Sequence, residues 1–393
     1  MEMLKKSIVL LVAFLLLLAG VRVTDAHAQT PDGFGKPAAV QAVADTPDYQ
    51  TKAKAAVLMD AQTGRVLFAQ NAGLRLPMAS TTKIMTALLT LEQGGLDDYF
   101  QIDSDAIRVE GSSMGLQEGD SVSLRALAYG MLLASGNDGA NAAAVRISGS
   151  IPAFVERMNA RAAEIGMADT RFATPSGLDD PGHYSTAYDM ALLAREALQN
   201  PLFAEICAQS KAVVQYGNPP YNRWLTNHNR LLREYPGTIG VKTGFTKASG
   251  RCLVSCAERD GVRLIAVTLG CPDDWNEHRR LFDRYFGLLT PDDLSGYLPH
   301  TGLQLPVAGG TEPAVALRYT PPPAMALLEG DRVEVRAVAA PLVFAPVEQG
   351  DLLGHLTICC NGEPVAELPL TAAQPVEATT PSPRESLLER LFT

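Results

Sequence analysis

The chain lacks the features that would attach it to nucleic acid or hold a metal ion. Its 393 residues include 33 Lys and Arg against 43 Asp and Glu, which gives a formal net charge of −10 and leaves no long basic run. Phosphate contacts dominate nucleic-acid affinity, so an acidic chain of this kind predicts no nucleic-acid partner. The six histidines are scattered and no Cys-x-x-Cys pair occurs, so we expect no metal site.

Cysteine is also sparse, and its spacing does not suggest a disulfide framework. Cys252 and Cys256 are four residues apart in a strand-like run, which separates them by about 13 Å at ~3.3 Å per residue. Cys359 and Cys360 are adjacent and would point to opposite faces of a strand. We therefore expect mostly buried free thiols.

Long apolar runs are absent except at the start of the chain. Lys5 and Lys6 precede SIVLLVAFLLLLAG, and TDAHAQ then holds Ala26 and Ala28 in a small-x-small pattern. This order is typical of a secretory signal peptide, residues 1–28. An uncleaved anchor is the alternative, although the run is short for a hydrocarbon core of about 30 Å. Either interpretation predicts that the rest of the chain is exported.

What the chain does have is ordinary globular composition, with 47% hydrophobic residues and clear local patterns. Alternating apolar runs indicate hairpins around Gln62-Thr63-Gly64 and around Asp260-Gly261. Helical spacing marks residues 80–92, 121–149, 152–166, 186–200 (stopped by Pro201) and 273–289.

The order of these patterns predicts the domain organisation. Residues 29–50 indicate a flexible leader, and strands at both ends of residues 51–292 with helices between them indicate an antiparallel sheet flanked by helices, an α/β (α+β) domain. Residues 293–378 contain short alternating runs such as RVEVRAVA and HLTICC, which indicate a small all-β domain. Residues 379–393 form a linker and a short amphipathic tail, which predicts weak membrane-surface contact.

The segment PMASTTKIMTALLTLE places Lys83 three residues after Ser80, at the start of an apolar helix. Residues three apart on a helix are neighbours, so the hydroxyl and the amine would lie side by side. A serine hydroxyl becomes an effective nucleophile only beside a base, and lysine is a base only when it is neutral. Lowering its pKa from about 10.4 to roughly 7–8 requires burial or a second cation. Taken alone, the pattern also fits a solvated lysine behind a capping serine.

Two further motifs follow in order. LLASGNDGANAAA contains Ser135 and Asn137 between two helical runs, and GTIGVKTGFT contains Lys242, Thr243 and Gly244. Together with Ser-x-x-Lys, they form the Ser-x-x-Lys, Ser-x-Asn and Lys-Thr-Gly set of serine penicillin-recognising enzymes.

The stretches around these motifs resemble one family within that group. PMASTTKIMTALLTLE, GSSMGLQEGDSVSLRALAYGMLLASGNDGANAAA, TPSGLDDPGHYSTAYDMALLAREAL and GTIGVKTGFT closely resemble the D-alanyl-D-alanine carboxypeptidases, the low-molecular-mass penicillin-binding proteins of bacterial cell walls. The resemblance is dense over residues 50–290 and looser through the β domain. It implies a penicillin-binding/β-lactamase-like transpeptidase fold and no cofactor. It also implies peptidoglycan stem peptides and β-lactam antibiotics as ligands, outside the cytoplasm.

The resemblance also implies catalytic roles. Ser80 would attack the carbonyl between the last two D-alanines of a stem peptide, and Lys83 would take its proton. Ser135 would relay a proton toward the leaving amine. The backbone N–H groups of Ser80 and Phe245 would form the oxyanion hole, in which one donor is typically worth about 3–4 kcal/mol.

Substrate-binding roles are implied for the remaining motif residues. Asn137 would hold the substrate amide or Lys83. Lys242 would supply the second positive charge, and with Thr243 it would receive the terminal carboxylate. Gly244 would let substrate lie against the strand edge.

One departure from the family pattern concerns an arginine near the substrate carboxylate. Relatives usually have it shortly after the strand that follows Lys-Thr-Gly, whereas this chain has CPDDWNEHRR. Asp273 or Asp274 stands at the expected position, and Arg279 and Arg280 come later. We therefore expect Thr243 to carry more of the carboxylate recognition.

The sequence patterns argue against three alternative functions. A class A β-lactamase needs a glutamate for deacylation; Glu196 and Asn200 have the spacing, but they lie inside a predicted helix. A non-catalytic wall-binding protein would not need the intact motif set. A Ser-His-Asp hydrolase lacks a nucleophile-elbow pattern, and His183 and His228 are predicted to be loop hydrogen-bonders, with His228 near the third motif.

Overall fold

The computed structural model describes residue 46 and residues 49–299, 302–322 and 324–379. The predicted signal peptide, most of the predicted leader and the tail beyond Thr379 lie outside the described residues. Within the described ranges, no helix is both long and apolar enough to span a membrane.

The first part of the described chain begins and ends with strands and is helical in the middle. Its strands are β1 (Ala55–Asp60), β2 (Val66–Gln70), β3 (Phe100–Gln101), β4 (Ser121–Val122), β5 (Lys211–Gly217), β6 (Pro220–Thr226), β7 (Thr238–Thr246), β8 (Gly250–Arg259), β9 (Val262–Leu269) and β10 (Leu289–Asp292). Its helices are α1 (Lys83–Leu91), α2 (Leu124–Leu132), α3 (Asn137–Ser148), α4 (Ile151–Ile165), α5 (Ala187–Gln199), α6 (Pro201–Cys207), α7 (Leu231–Glu234) and α8 (Asp274–Leu288).

Five strands form the central sheet, in the order β2-β1-β9-β8-β7, and all neighbours are antiparallel. Both predicted hairpins are confirmed, as β1-β2 and β8-β9. The second turns at Asp260 and Gly261, which have φ of 52° and 80°, the positive values that a type I′ hairpin turn requires. The antiparallel sheet flanked by helices is therefore as predicted.

The central sheet is buried on both faces, and β1 shows how its sequence produces this. Ala55, Val57 and Met59 pack with residues of α1 to α6, whereas Ala56 and Leu58 pack with residues of α7 and α8. Successive side chains of a strand point to opposite faces, so a continuous apolar run belongs to a strand that is covered on both sides.

Helices α4 and α5 begin close to where the sequence predicted, whereas the predicted role of Pro201 needs a correction. Ser150 caps α4 by accepting from the N–H of Ala153, and Thr186 caps α5 in the same way. α5 ends at Gln199, one residue before the predicted end, but Pro201 does more than end it. It begins α6, because proline suits the first turn of a helix and Asn200 supplies the cap.

A second sheet, in the order β3-β4-β5-β6, was not predicted from the sequence. Its main part is the hairpin β5-β6, whose strands are joined through Asn218 and Pro219. The turn residues in QYGNPPYNRW, between alternating runs, were the signal for it. The Tyr216 hydroxyl of this hairpin donates to the carbonyl of Met114, in the segment that precedes α2.

The second part of the described chain is all-β, as predicted. Its strands are β11 (Gln304–Ala308), β12 (Ala314–Arg318), β13 (Met325–Leu328), β14 (Val333–Ala339), β15 (Val343–Phe344), β16 (Leu352–Cys360) and β17 (Glu363–Ala372). Six of them form a sheet in the order β14-β16-β17-β12-β11-β15, and β13 pairs with β10 instead. Because β10 lies within residues 51–292, pairing crosses the predicted boundary, which stays a prediction.

The end of the predicted leader is held against the central sheet. The N–H of Thr46 donates to the Ala69 carbonyl at 2.9 Å, and the Tyr49 ring packs edge-on against Phe68. These two leader residues therefore belong to the packed structure. All six cysteines are buried free thiols, as the spacing predicted.

Candidate active site

Ser80 and Lys83 lie in contact at the start of α1. Ala79–Thr82 forms a 3₁₀ turn, and the Lys83 amine lies 2.9 Å from the Ser80 hydroxyl oxygen. Ala79 has φ of 50°, a left-handed conformation that is costly for a residue other than glycine and concentrates at functional sites. The turn therefore holds the serine hydroxyl over the first residue of an otherwise apolar helix.

The Lys83 amine has two more partners, both buried. It donates to Asn137 Oδ1 and to the Ser176 carbonyl, each at 2.6 Å. A neutral amine has two N–H groups and one lone pair, so these two acceptors leave the lone pair for the Ser80 hydroxyl proton. The geometry thus fits a lysine that acts as a base toward Ser80.

The surroundings of Lys83 disfavour its charged form. Burial is the largest cause, and the positive charge of Lys242 is the second; together they hold the pKa of Lys83 well below its usual range. The Asp138 carboxylate acts in the opposite direction and is weaker. Both expected causes of a lowered pKa, an apolar environment and a second cation, are present at Lys83.

Lys242 approaches the same site from β7, the last strand of the central sheet. Its amine donates to the Ser135 hydroxyl at 3.1 Å and to the Thr243 carbonyl at 2.9 Å. Burial lowers the pKa of Lys242 to about 7. A neighbouring anion would raise it again, because opposite charge favours the ammonium form.

The second motif reaches the site because the helical run 121–149 is interrupted. α2 ends at Leu132 and α3 begins at Asn137, and Ser135 between them has φ of 59°. This turn points the Ser135 hydroxyl at Lys242, while Asn137 Oδ1 faces Lys83. Two partners were predicted for Asn137, the substrate amide and Lys83, and the structure shows the contact with Lys83.

Gly244 lets β7 pack directly against the serine turn. A Cβ at this position would lie 2.9 Å from the Met78 carbonyl oxygen and 3.1 Å from the backbone nitrogens of Ser80 and Thr81. The missing side chain therefore permits close approach of two backbones, rather than only clearing a strand edge for substrate. Phe245 follows it with an exposed side chain.

The arginines and acids after β9 form ion pairs, three of them with residues from earlier parts of the chain. Arg251 bonds Asp274 Oδ1 at 2.9 and 3.0 Å, and Asp273 accepts from Lys52 at 2.7 Å. Arg279 pairs with Glu234, and Arg280 pairs with Glu277 at 2.8 Å. In these ion pairs, neither Arg279 nor Arg280 contacts the turn that carries Ser80.

Two supporting groups were not predicted from the sequence, the Ser176 carbonyl and the buried carboxylate of Asp138. The ring of His183, predicted to be a loop hydrogen-bonder, bonds the Ala173 N–H and the Thr82 hydroxyl. Asp138 accepts from the Ser113 hydroxyl and from the N–H groups of Met114, Gly115 and Leu116. The turn residues of TPSGLD and the aspartate after Ser-x-Asn were visible, but their partners are distant in the sequence.

The residues of the rival functions are occupied elsewhere. Glu196 pairs with Arg161 at 2.5 Å, and Asn200 caps α6. These contacts give neither residue the deacylating role of a β-lactamase. Burial and, after it, the charge of Lys242 lower the pKa of His228, so this residue lies near the third motif as predicted.

Known proteins with related sequences and structures point to one family. The family model of the D-alanyl-D-alanine carboxypeptidases matches residues 40–273. The D-alanyl-D-alanine carboxypeptidase DacF of Bacillus subtilis is 33% identical over 340 residues, which cover 84% of this chain and 87% of DacF. DacB2 of Mycobacterium tuberculosis, also a D-alanyl-D-alanine carboxypeptidase, is 36% identical over 63% of this chain and 87% of its own. Penicillin-binding protein 5 of Haemophilus influenzae aligns with a TM-score of 0.69 at 29% identity, over 84% of this chain and 99% of that one.

Proposed function

The chain belongs to the serine-type D-alanyl-D-alanine carboxypeptidase family, and on that premise we propose that it removes the terminal D-alanine from peptidoglycan pentapeptide stems through an acyl-enzyme on Ser80. The observation that carries the proposal is the contact of a buried, weakly basic Lys83 with the Ser80 hydroxyl at 2.9 Å. Lys242 and Ser135 stand beside this pair.

Acylation would begin with proton transfer from the Ser80 hydroxyl to the Lys83 amine. The serine oxygen attacks the carbonyl between the two D-alanines, and the negative charge moves to the carbonyl oxygen. The N–H groups of Ser80 and Phe245 would stabilise that oxyanion. The position of Gly244, with its Cβ site 3.1 Å from the Ser80 nitrogen, supports this assignment by bringing β7 next to the turn.

Release of D-alanine would need a proton on its nitrogen. The Ser135 hydroxyl, bonded to Lys242 at 3.1 Å, supports a relay in which Ser135 gives its proton to the leaving amine and takes one from Lys242. The C–N bond breaks and Ser80 keeps the rest of the stem as an ester. Water then attacks the ester and passes one proton through the Ser135 hydroxyl back to Lys242. Ser80 regains its proton from Lys83, and the tetrapeptide stem leaves as the carboxylic acid.

The terminal carboxylate of the substrate would bind at Lys242 and Thr243. Because burial lowers the pKa of Lys242 to about 7, the arriving carboxylate would raise it and complete the cation. Thr243, at the outer strand of the sheet, would add its hydroxyl. Asn137 would hold Lys83 in place, an assignment that the 2.6 Å contact supports.

We propose that β-lactams acylate Ser80 in the same way, since their ring carbonyl takes the place of the substrate amide. A fluorescent penicillin tests this on the intact protein. Wild type should be labelled covalently, and Ser80→Ala should not be. Labelling of the alanine variant would mean that another nucleophile acts, and no labelling of wild type would favour a non-catalytic wall-binding protein.

The biological setting follows from this chemistry. Removal of the terminal D-alanine destroys the bond that cross-linking enzymes use, so the activity would limit cross-linking outside the cytoplasm. The β domain would hold the catalytic domain away from a surface or dock a partner. The signal peptide and the amphipathic tail lie outside the described residues, so export and weak membrane contact stay predictions.

A further inference from the structure

His183 is a buried residue that the proposed reaction does not use, yet it touches the serine turn. Its Nδ1 accepts from the Ala173 N–H at 2.9 Å, and its Nε2 lies 2.7 Å from the Thr82 hydroxyl oxygen. Because Nδ1 is an acceptor, the ring proton of the neutral imidazole is on Nε2 and donates to Thr82. Burial lowers the pKa of His183 to about 4, which keeps the ring neutral near pH 7.

The bond to Thr82 continues into the turn that carries the nucleophile. Having accepted from His183, the Thr82 hydroxyl donates its own proton to the Ala79 carbonyl at 2.7 Å. Ala79 is the residue with φ of 50° directly before Ser80. The histidine therefore supports the strained peptide that orients the serine hydroxyl.

The other side of the ring supports the Lys83 acceptor. Ala173, which donates to Nδ1, begins the short segment 173–177 that contains Ser176, whose carbonyl accepts from Lys83 at 2.6 Å. Gly177 in this segment lies against the serine turn, since a Cβ there would be 2.0 Å from the Ala79 carbonyl oxygen. One ring thus joins the two backbone segments that hold Ser80 and Lys83.

We propose that His183 is a positioning residue that locks the Ser80 turn and the Ser176 carbonyl into register around Lys83. The proposal rests on the proposed function, because it concerns the acylation of Ser80. Misplacing a reacting group by about 1 Å can cost on the order of 100-fold in rate, so loss of the lock should appear mainly in kcat and in the acylation rate.

Two amide substitutions separate the two ends of the ring. His183→Gln places an N–H at the position of Nε2 and keeps the bond to Thr82, whereas His183→Asn places an acceptor at the position of Nδ1 and loses that bond. We expect His183→Asn to lower kcat for D-alanine release and the rate of penicillin acylation by about 10- to 100-fold, with KM within a few-fold. His183→Gln should stay within about 5-fold of wild type, because it restores the contact to the serine turn.

Thr82→Val tests the same bond from the other side. It should cause a loss at least as large as that of His183→Asn, because it also removes the bond from Thr82 to the Ala79 carbonyl. The double variant should be no worse than Thr82→Val alone, because the contact between the ring and residue 82 is already absent there. Thr82→Ser keeps the hydroxyl and should restore acylation. A purely structural role would not produce this pattern of rescue and non-additivity.

His278 offers a matched control on the opposite face of the central sheet. It is fully buried, and its two ring nitrogens contact the Ser255 and Thr268 hydroxyls at 2.5 and 3.0 Å. His278→Gln should lower the midpoint of thermal unfolding without a specific fall in kcat. This variant and His183→Asn are both assayed well below their unfolding midpoints. If His183→Asn and Thr82→Val acylate at the wild-type rate, the proposal is wrong. It is also wrong if His278→Gln lowers the acylation rate as much as His183→Asn does. An inactive, unlabelled wild type would instead contradict the proposed function.

Discussion

The Lys83 amine combines two features that rarely occur together, complete burial and a second lysine nearby. Lys83 and Lys242 are both buried, and they contact Ser80 and Ser135 respectively. Each burial disfavours the ammonium form, and the charge of Lys242 adds to the effect on Lys83. These effects favour the neutral form of the Lys83 amine, which is the form that a general base requires.

Removing the second cation should therefore make Lys83 more basic. In Lys242→Met the side-chain volume is nearly kept while the charge is lost, so the pKa of Lys83 should rise. Acylation by penicillin needs neutral Lys83, and its rate should then begin to fall at a higher pH than in wild type. The measurement is the acylation rate against pH at saturating fluorescent penicillin.

Lys247→Met is the control, because Lys247 is an exposed lysine a few residues further along the chain. In this control, the fall of the acylation rate toward acid pH should coincide with that of wild type. If the fall were also unshifted in Lys242→Met, Lys242 would not act on Lys83 through its charge.

Gly244 provides a steric test at the residue scale. In Gly244→Ala the new Cβ would meet backbone atoms of Met78, Ser80 and Thr81 at 2.9–3.1 Å, and backbone cannot rotate away as a side chain could. We expect β7 to shift from the turn, with a fall in kcat/KM of about 10- to 100-fold. Gly287→Ala in α8 places its Cβ more than 4 Å from every group beyond its chain neighbours and the backbone of the helix itself, so it should keep full activity and gain about 0.5–1 kcal/mol of stability.

At the scale of elements, the sequence predicted those whose signals are local. The β1-β2 and β8-β9 hairpins carry their own turn residues, and α4 and α5 carry Ser150 and Thr186 as caps. The three motifs also predicted which side chains meet, because their spacing carries a chemical pattern. The hairpin β5-β6 was missed although its Asn-Pro-Pro turn was visible.

What the sequence could not predict depends on partners that are far apart along the chain. The Ser176 carbonyl has no side-chain signature, and it meets Lys83 only after the segment has folded over α1. His183 was predicted to be a loop hydrogen-bonder, but its partner Thr82 lies 101 residues away. Backbone acceptors and long-range hydroxyl contacts of this kind become visible only in three dimensions.

The Asp138 carboxylate should control the loop that borders Asn137. It accepts from the Ser113 hydroxyl and from three successive backbone N–H groups, of Met114, Gly115 and Leu116. Asp138→Asn would turn an N–H₂ group toward some of these donors and remove the charge. We expect a loss of unfolding free energy of about 3 kcal/mol and a raised KM, measured by urea unfolding and by D-alanine release.

Asp105→Asn is the matched control, since Asp105 is an exposed aspartate. Its unfolding free energy should change by no more than about 0.5 kcal/mol. If Asp138→Asn were equally harmless, the loop would be held by other contacts.

At the scale of the whole molecule, buried bases should make stability depend on pH. Burial lowers the pKa of His183 to about 4 and that of His278 to about 3, whereas an unfolded histidine titrates near 6.5. Between these values the unfolded chain binds more protons, so stability rises with pH. Their contribution is complete above about pH 6.5 and is lost as the pH falls toward 4 and 3.

His278→Gln should therefore flatten the acid side of the stability curve. The glutamine does not titrate, so the unfolding free energy of this variant should fall less steeply than that of wild type between about pH 6.5 and 4. Urea unfolding at several pH values measures both slopes. Equal slopes would show that His278 takes up its proton without unfolding.

Lys242 extends the pH dependence of folding stability to alkaline pH. Its pKa is about 7 in the folded chain and near 10.5 when unfolded, so its burial costs stability at neutral pH and this cost disappears as the pH rises. The fold thus tolerates an unfavourable arrangement at the site where the proposed chemistry needs it.

The central claim is that neutral Lys83 activates Ser80 for removal of D-alanine, and release of D-alanine from a pentapeptide stem tests it most directly. Wild type should release one D-alanine per stem, while Lys83→Ala, although folded, should release it at least 1000-fold more slowly, because the nucleophile has lost its base. Wild-type release that persists in Lys83→Ala would contradict the claim.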